Sequence, residues 1–283
     1  DERYDRAHEF IEVCRKLWDS WEADAVVMDR ERGLFADPAK VHRIEHVGPF
    51  YKSLGPLNVV HSPQNGPAIL QAGTSGKGRE FAARYADAIF AIHGTLAGAK
   101  AYYDDIKRSM VEAGRPPEAC KILFGVQPII GATRAEAEAK QAEHNSLVPL
   151  EGGLAMLSGH LDFDLSTLPL DTIMAELTEP RLQRMQRIYR TLTGTPLTLA
   201  EVARNHGQSV GLPQMVGTPV EIADQLEAFF DAAGGDGFML SPIYLPGAIE
   251  EFVDLVVPEL QRRGRFRRDY AGTTQRDHLA QDD

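Results

Sequence analysis

The feature that most restricts the fold of this chain is a series of short apolar runs that alternate with helical patterns after residue 67. The runs are apolar throughout, so both faces of each strand are expected to be buried. Repeated strand–helix units of this kind predict a parallel sheet in an α/β fold. Periodicity leaves open whether these strands form an open doubly wound sheet or half of an eight-stranded barrel. The predicted strands are 67–72, 88–92, 121–130 and 236–240.

Two stretches interrupt this alternation. Residues 22–66 are rich in Gly, Pro and Asn, which predicts loops with short extended pieces. Residues 145–216 are too long for a simple connection and predict an inserted subdomain or lid, with helices at 178–192 and from Thr198. The chain opens on an amphipathic helix over 4–21 that no strand precedes.

Composition excludes several classes of protein. The net charge of -11 argues against a nucleic-acid binder, which would carry a basic surface. No apolar run approaches the ~18 residues that a membrane-spanning helix needs, so we expect no membrane span. The two cysteines, Cys14 and Cys120, indicate a reducing compartment, and we predict a cytoplasmic protein. The arginines between 262 and 268 indicate either a solvated helix end or a site for an anionic partner.

Three helix starts carry the capping-box pattern, in which a Thr is followed three residues later by Glu. They begin at Thr133, Thr198 and Thr218. The Thr hydroxyl accepts the N–H of the third helical residue while the Glu carboxylate reaches back to the cap. Each therefore predicts the first residues of a helix.

The connection Gly73–Gly78, with the sequence GTSGKG, lies between a predicted strand and a predicted helix. The helix start offers unpaired N–H groups and a positive dipole end, and Thr74 and Ser75 can add hydroxyl donors, which suits a phosphate. The spacing is neither G-x-G-x-x-G nor that of a P-loop. A tight turn with a Ser/Thr cap explains the same residues, so both interpretations stay open.

Other polar residues carry weaker signals. His42 and His46 are four residues apart, but their segment looks extended and no third ligand is near, so we predict no metal site. His93 ends a predicted strand and is interpreted as structural. Tyr4, in the first turn of the opening helix, is interpreted from the sequence alone as a buried or capping residue.

Five stretches, in this order, resemble the nitrilotriacetate and dibenzothiophene-sulfone monooxygenase family, a branch of the bacterial-luciferase-like flavin enzymes. The resemblance covers nearly the whole chain and is carried by several motifs at family-like spacing. The stretches are ERYDRAHEFIEVCRKLWDSW, GPFYKSLGPLN, SPQNGPAILQAGTSGKGREFAARYADAIF, GTPVEIADQLEAFFDAAGGDGFMLSPIYLPGA and LVVPELQRRGRFRRDYAGTTQRDHL.

The resemblance implies a (β/α)8 TIM barrel, of which this chain would supply strands five to eight as a single portion, 1–283, with insertions at about 22–66 and 145–216. It implies an oxidoreductase that uses reduced FMN and O2 to oxygenate a small organic substrate, such as a xenobiotic compound. An NAD(P)H-dependent flavin reductase would supply the reduced flavin. A homo-oligomer is also compatible with the resemblance. The catalytic residues and the substrate are not identified by it.

Site residues follow from the resemblance at matching positions. The loop after ILQAG would hold the FMN phosphate through Gly73, Thr74, Ser75 and Gly76, and Tyr4 would touch the flavin. Phe90 would line the substrate pocket. Two alternatives remain: a non-catalytic flavin-binding or degenerate half-barrel fragment, and a barrel that uses a deazaflavin for hydride transfer.

Overall fold

The computed structural model describes residues 2–72, 76–176 and 196–280. These residues fall into two units, each described by itself below. Unit one comprises the described residues within 1–89, 107–121 and 270–282. Unit two comprises those within 90–106 and 122–269.

Unit one begins with helix α1, Glu2–Trp18, which confirms the predicted amphipathic helix with slightly earlier bounds. The segment predicted as loops with short extended pieces contains two antiparallel hairpins. Because their strands are only two to four residues long, no sustained alternation marked them in the sequence. The strands are β1 (Val26–Asp29), β2 (Leu34–Ala36), β3 (His46–Val47) and β4 (Lys52–Ser53).

The main sheet has five strands, with the order β5-β6-β7-β8 and with β9 paired to β7. Strand β7 pairs in parallel with both β8 and β9, which confirms the predicted parallel sheet for these pairs. It is buried along nearly its whole length, as its apolar run predicts. The prediction of four strands was wrong, because β8 was missed. The strands are β5 (Leu70–Ala72), β6 (Ala88–Ala91), β7 (Lys121–Ile130), β8 (Gln214–Gly217) and β9 (Gly237–Leu240).

The remaining helices follow the predicted alternation, except that α5 and α10 had no prediction. A π-helical turn, Phe252–Val256, separates α8 from α9. The predicted helix at 178–192 lies outside the described residues. Within the described ranges, no helix combines the length and apolarity needed to cross a membrane. The helices are α2 (Gly76–Tyr85), α3 (Leu96–Glu112), α4 (Arg134–Leu147), α5 (Leu150–Leu161), α6 (Leu199–Ser209), α7 (Pro219–Ala233), α8 (Gly247–Glu251), α9 (Val257–Arg262) and α10 (Gln275–Ala280).

The predicted helix caps are in place. Thr198 and Thr218 form complete capping boxes at the starts of α6 and α7. Thr133 caps α4 by accepting the N–H of Glu136, but the Glu136 carboxylate reaches back to the N–H of Ala132 instead of the cap residue. Local sequence therefore fixes where these three helices begin.

The arginines after α9 are tied to acidic side chains of α7 and α9. Arg263 bonds to Asp224, Glu227 and Glu259, and its side chain is only 15% exposed. The hydrogen bonds from Arg262 and Arg263 lower the pKa of Glu259 to about 2. This part of the basic cluster is a structural ion-pair network, which favours the helix-end interpretation over an anionic partner.

The described residues of the predicted insertion form a hydrophobic core of their own in unit two. Helices α5 and α6 approach so closely that a Cβ added to Gly153 would lie 2.1 Å from the backbone oxygen of Ala203. Glycine is required here because only a hydrogen fits between the two helices. The buried members of the core are Leu157, Leu165, Met174, Leu199 and Val202.

Candidate functional site

The start of α2 is where the phosphate site is predicted. Strand β5 ends at Ala72 and the helix begins at Gly76, so only three residues connect them. Gly76 is exposed, and a Cβ added to it would meet no described atom within 4 Å. A ten-residue helix thus begins beside the carboxyl end of a sheet strand, where its positive dipole end would suit a phosphate.

The other predicted phosphate contacts, Gly73, Thr74 and Ser75, lie outside the described residues. Their roles therefore stay predictions. The structure describes the residues on either side of these three, which are the end of strand β5 and the start of helix α2.

Tyr4 lies in α1 and packs against α2. Its ring centroid is 5.8 Å from that of Phe81, which is five residues after the start of α2. One turn further along α1, His8 contacts the same phenylalanine ring at 5.2 Å, and its Nδ1 lies 3.0 Å from the hydroxyl of Tyr85. The structure thus brings Tyr4 alongside the helix whose start is the predicted phosphate site, while its contact with a flavin stays a prediction.

Phe90 belongs to unit two and is half-buried in β6. A Cβ added to Gly125 of β7 would lie 2.7 Å from its ring and 2.4 Å from Leu212, so the glycine makes room for both side chains. The role of Phe90 in a substrate pocket stays a prediction. His93, in the loop after β6, packs on Tyr102 with ring centroids 4.9 Å apart, as a structural residue would.

The two histidines considered as a metal pair have separate partners. His42 lies 2.8 Å from Glu22, and His46 lies 3.0 Å from Glu9. In residues 2–72, 76–176 and 196–280, no group of three or more His, Cys, Asp and Glu side chains is arranged to hold a metal ion. Their spacing of four residues reflects no shared helix face, because both lie outside helices.

Glu9 is a buried carboxylate that organises the loop 46–51. It accepts hydrogen bonds from the backbone N–H groups of Phe50 and Tyr51, both at 2.8 Å, and contacts His46. Burial opposes its ionisation, but these hydrogen bonds outweigh it and hold the pKa of Glu9 below its ordinary value. No local sequence pattern predicts this network, because its members are 37–42 residues apart.

A second polar network lies at the carboxyl end of β7 in unit two. The Lys140 ammonium donates to the carbonyl of Ile130 and to Glu251, both at 2.9 Å. The Tyr244 hydroxyl donates to the same Glu251 oxygen at 3.0 Å. No local sequence pattern predicts this hydrogen-bond network either, because 111 residues separate Lys140 from Glu251.

Two histidines join α5 to α6. The Nδ1 atom of His160 lies 2.8 Å from Nε2 of His206, so one ring donates a hydrogen bond and the other accepts it. Burial, and then the nearby charge of His160, lower the pKa of His206 from 6.5 to about 4. His206 is therefore neutral in the folded protein at neutral pH.

The free energy of unfolding is expected to fall by about 1–3 kcal/mol between pH 6.5 and pH 4. In the unfolded chain His206 takes up a proton near pH 6.5, whereas the folded protein resists protonation down to about pH 4. Urea unfolding at pH 7 and pH 4.5 measures the loss. His206→Gln should remove this part of the pH dependence, whereas the control variant His61→Gln should keep it. An unchanged pH dependence in His206→Gln would contradict the assignment of the lowered pKa to His206.

Comparison with known proteins gives a consistent result. The model of the luciferase-like monooxygenase family matches residues 1–237. The chain is 46% identical to the dibenzothiophene-sulfone monooxygenase of Rhodococcus erythropolis, over 99% of this chain and 63% of the relative. It is 42% identical to nitrilotriacetate monooxygenase component A of Aminobacter aminovorans, over 98% of this chain and 62% of the relative.

Solved structures show the same similarity. The crystal structure of DmoA from Hyphomicrobium sulfonivorans superposes with a TM-score of 0.91 at 37% identity, covering 99% of this chain and 60% of that one. The crystal structure of riboflavin lyase with modified FMN and riboflavin gives a TM-score of 0.86 at 34% identity, covering 99% and 62%. The chain thus spans less than two thirds of the length of each of these proteins.

Proposed function

Because the chain belongs to the luciferase-like monooxygenase family, we propose that it binds FMN and takes part in oxygenating a small organic substrate with O2. We also propose the (β/α)8 barrel as its fold, which the parallel pairing of β7 with its neighbours supports. In this proposal residues 1–283 belong to one barrel with insertions at about 22–66 and 145–216. The expectation that the chain supplies only strands five to eight is not supported, because the sheet of the described residues has five strands.

The observation that supports the proposal is the start of α2 beside the carboxyl end of β5, with three residues between them. Ligands of parallel α/β sheets bind at this end of the strands. We assign the FMN phosphate to Gly73, Thr74, Ser75 and Gly76, and assign a flavin contact to Tyr4. When bound, reduced FMN supplies the electrons that activate O2. The protein orients the substrate and excludes water.

Relatives favour a two-protein system. One of them is named as component A of nitrilotriacetate monooxygenase, and two others as subunits A and B of pristinamycin IIA synthase. We propose an NAD(P)H-dependent flavin reductase as the partner that delivers reduced FMN. The relatives' names include a sulfone and an amino-polycarboxylate, so we propose a small organic compound, xenobiotic or natural, as the substrate.

Titration of the purified chain with FMN and with riboflavin, followed by flavin fluorescence, tests the cofactor assignment. The phosphate should make FMN bind at least about tenfold more tightly, because hydrogen bonds to a charged group contribute about 1.5–3 kcal/mol each. Equal affinity for both flavins, or no binding, would refute the assignment.

Oxygenation is tested separately, with reduced FMN in air and a panel of sulfones, sulfides and amino-polycarboxylates. An oxygenase should release less peroxide with a substrate than without one. Stoichiometric peroxide with every compound would favour the alternative of a non-catalytic flavin-binding fragment.

A further inference from the structure

The loop 241–246, with the sequence SPIYLP, follows β9 at the carboxyl ends of the strands in unit two. The N–H of Ser241 still bonds to the carbonyl of Val126 in β7, at 2.9 Å. Ile243 then packs against the buried side chains of Ile129 and Val216. The loop is therefore anchored as far as the residue before Tyr244, at the end of a parallel sheet where ligands bind.

Tyr244 projects from this anchored loop and is 46% exposed. Its ring lies against the start of α8, where a Cβ added to Gly247 would be 2.7 Å from ring atom Cε2. Any larger residue than glycine at that position would push the ring away. Gly247 thus leaves room for the tyrosine ring in its observed position.

The direction of the Tyr244 hydroxyl is also fixed. It donates to Glu251 at 3.0 Å, and Glu251 is held in turn by the ammonium of Lys140 at 2.9 Å. That ammonium is itself fixed by the carbonyl that ends β7, Ile130. Because the only proton of the phenol is engaged by Glu251, its oxygen is left to accept a hydrogen bond from a third group.

A second observation marks Glu251 as more than a surface ion-pair partner. It is the last residue of α8, and the π-helical turn Phe252–Val256 begins directly after it. Such turns are rare in proteins and are found frequently at functional sites. The irregularity coincides with the residue that orients the tyrosine.

We propose that Tyr244 is a specificity-determining residue that accepts a hydrogen bond from an N–H or O–H group of the substrate, with Glu251 and Lys140 as positioning residues. The proposal rests on the proposed function, because it takes the carboxyl ends of the strands as the substrate side. It narrows the substrate class to compounds that carry such a donor next to an apolar or aromatic body, which the exposed tyrosine ring would contact.

Indole and benzothiophene test this proposal, since they have nearly the same shape but only indole has an N–H donor. Their dissociation constants are measured by ligand-observed NMR on the FMN-saturated protein. We expect indole to bind about three- to tenfold more tightly, the range that a neutral hydrogen bond gives. Tyr244→Phe should bring the ratio to about one without changing the FMN affinity.

Two further variants separate this role from a structural one. Glu251→Leu frees the phenolic proton and should also lower the indole preference, whereas Tyr270→Phe, which changes another exposed tyrosine, should leave it intact. If wild-type protein shows no preference, or if Tyr244→Phe weakens both probes equally, the proposal is wrong. The FMN titration distinguishes failure of the proposed function from failure of this inference. Absence of FMN binding refutes the proposed function, whereas absence of the indole preference refutes only the role of Tyr244.

Discussion

The double variant Thr74→Val and Ser75→Ala is expected to bind FMN at least about a hundredfold more weakly than the wild-type chain. Each hydroxyl is assigned one hydrogen bond to the phosphate, and a bond to a charged group contributes about 1.5–3 kcal/mol. That corresponds to roughly tenfold or more in affinity for each residue. Valine keeps the shape of threonine, and alanine only removes the serine oxygen, so the backbone around Gly76 should not change.

The measurement is a titration with FMN, repeated with riboflavin. Riboflavin lacks the phosphate, so its affinity should be the same in the variant and in the wild type. Ser146→Ala is the matched control, since Ser146 is an exposed helix residue whose hydroxyl bonds only to the carbonyl of Glu143 among the described atoms. A loss of FMN affinity below about threefold in the double variant would remove Thr74 and Ser75 from the phosphate site.

The regular part of the fold could be predicted because its signals are local. A buried strand such as β7 appears as a mostly apolar run, in which Gln127 is the one polar residue after Lys121, and a capped helix such as α7 shows its Thr and Glu within four residues. Strand β8 was missed because its sequence, Gln-Met-Val-Gly, is only four residues long and begins with a polar side chain. Its membership in the sheet comes from pairing with β7, 87 residues away at Gln127 and Gln214, and such pairing leaves no local pattern.

The residues of the candidate site also differ in whether a local sequence pattern could predict them. The start of α2 could be predicted because a loop of Gly, Ser and Thr between a strand and a helix is a local pattern. Tyr4 and Phe90 required the family resemblance, since a single aromatic residue has no distinctive spacing. The networks around Glu9 and Tyr244 were not predictable, because hydrogen bonds between distant segments depend on tertiary geometry that spacing does not encode.

Gly153→Ala is expected to destabilise the α5–α6 pair by about 2–3 kcal/mol, the cost of forcing extra atoms into a packed interface. The new methyl group would lie 2.1 Å from the backbone oxygen of Ala203, and a backbone atom cannot move aside as the end of a side chain can. The helices would have to separate, which would loosen the contact of Leu157 with Leu199 and Val202 in their shared core. Urea unfolding gives the change in free energy, and amide hydrogen exchange locates it.

Gly159→Ala is the matched control, because it places the same methyl group in the same helix where no described atom lies within 4 Å. Alanine is the better helix former by about 1 kcal/mol, so this variant should be neutral or slightly more stable. The two substitutions therefore have opposite expected signs although their chemistry is identical. Equal effects would mean that helix propensity alone decides stability here and that the close approach at Gly153 relaxes without cost.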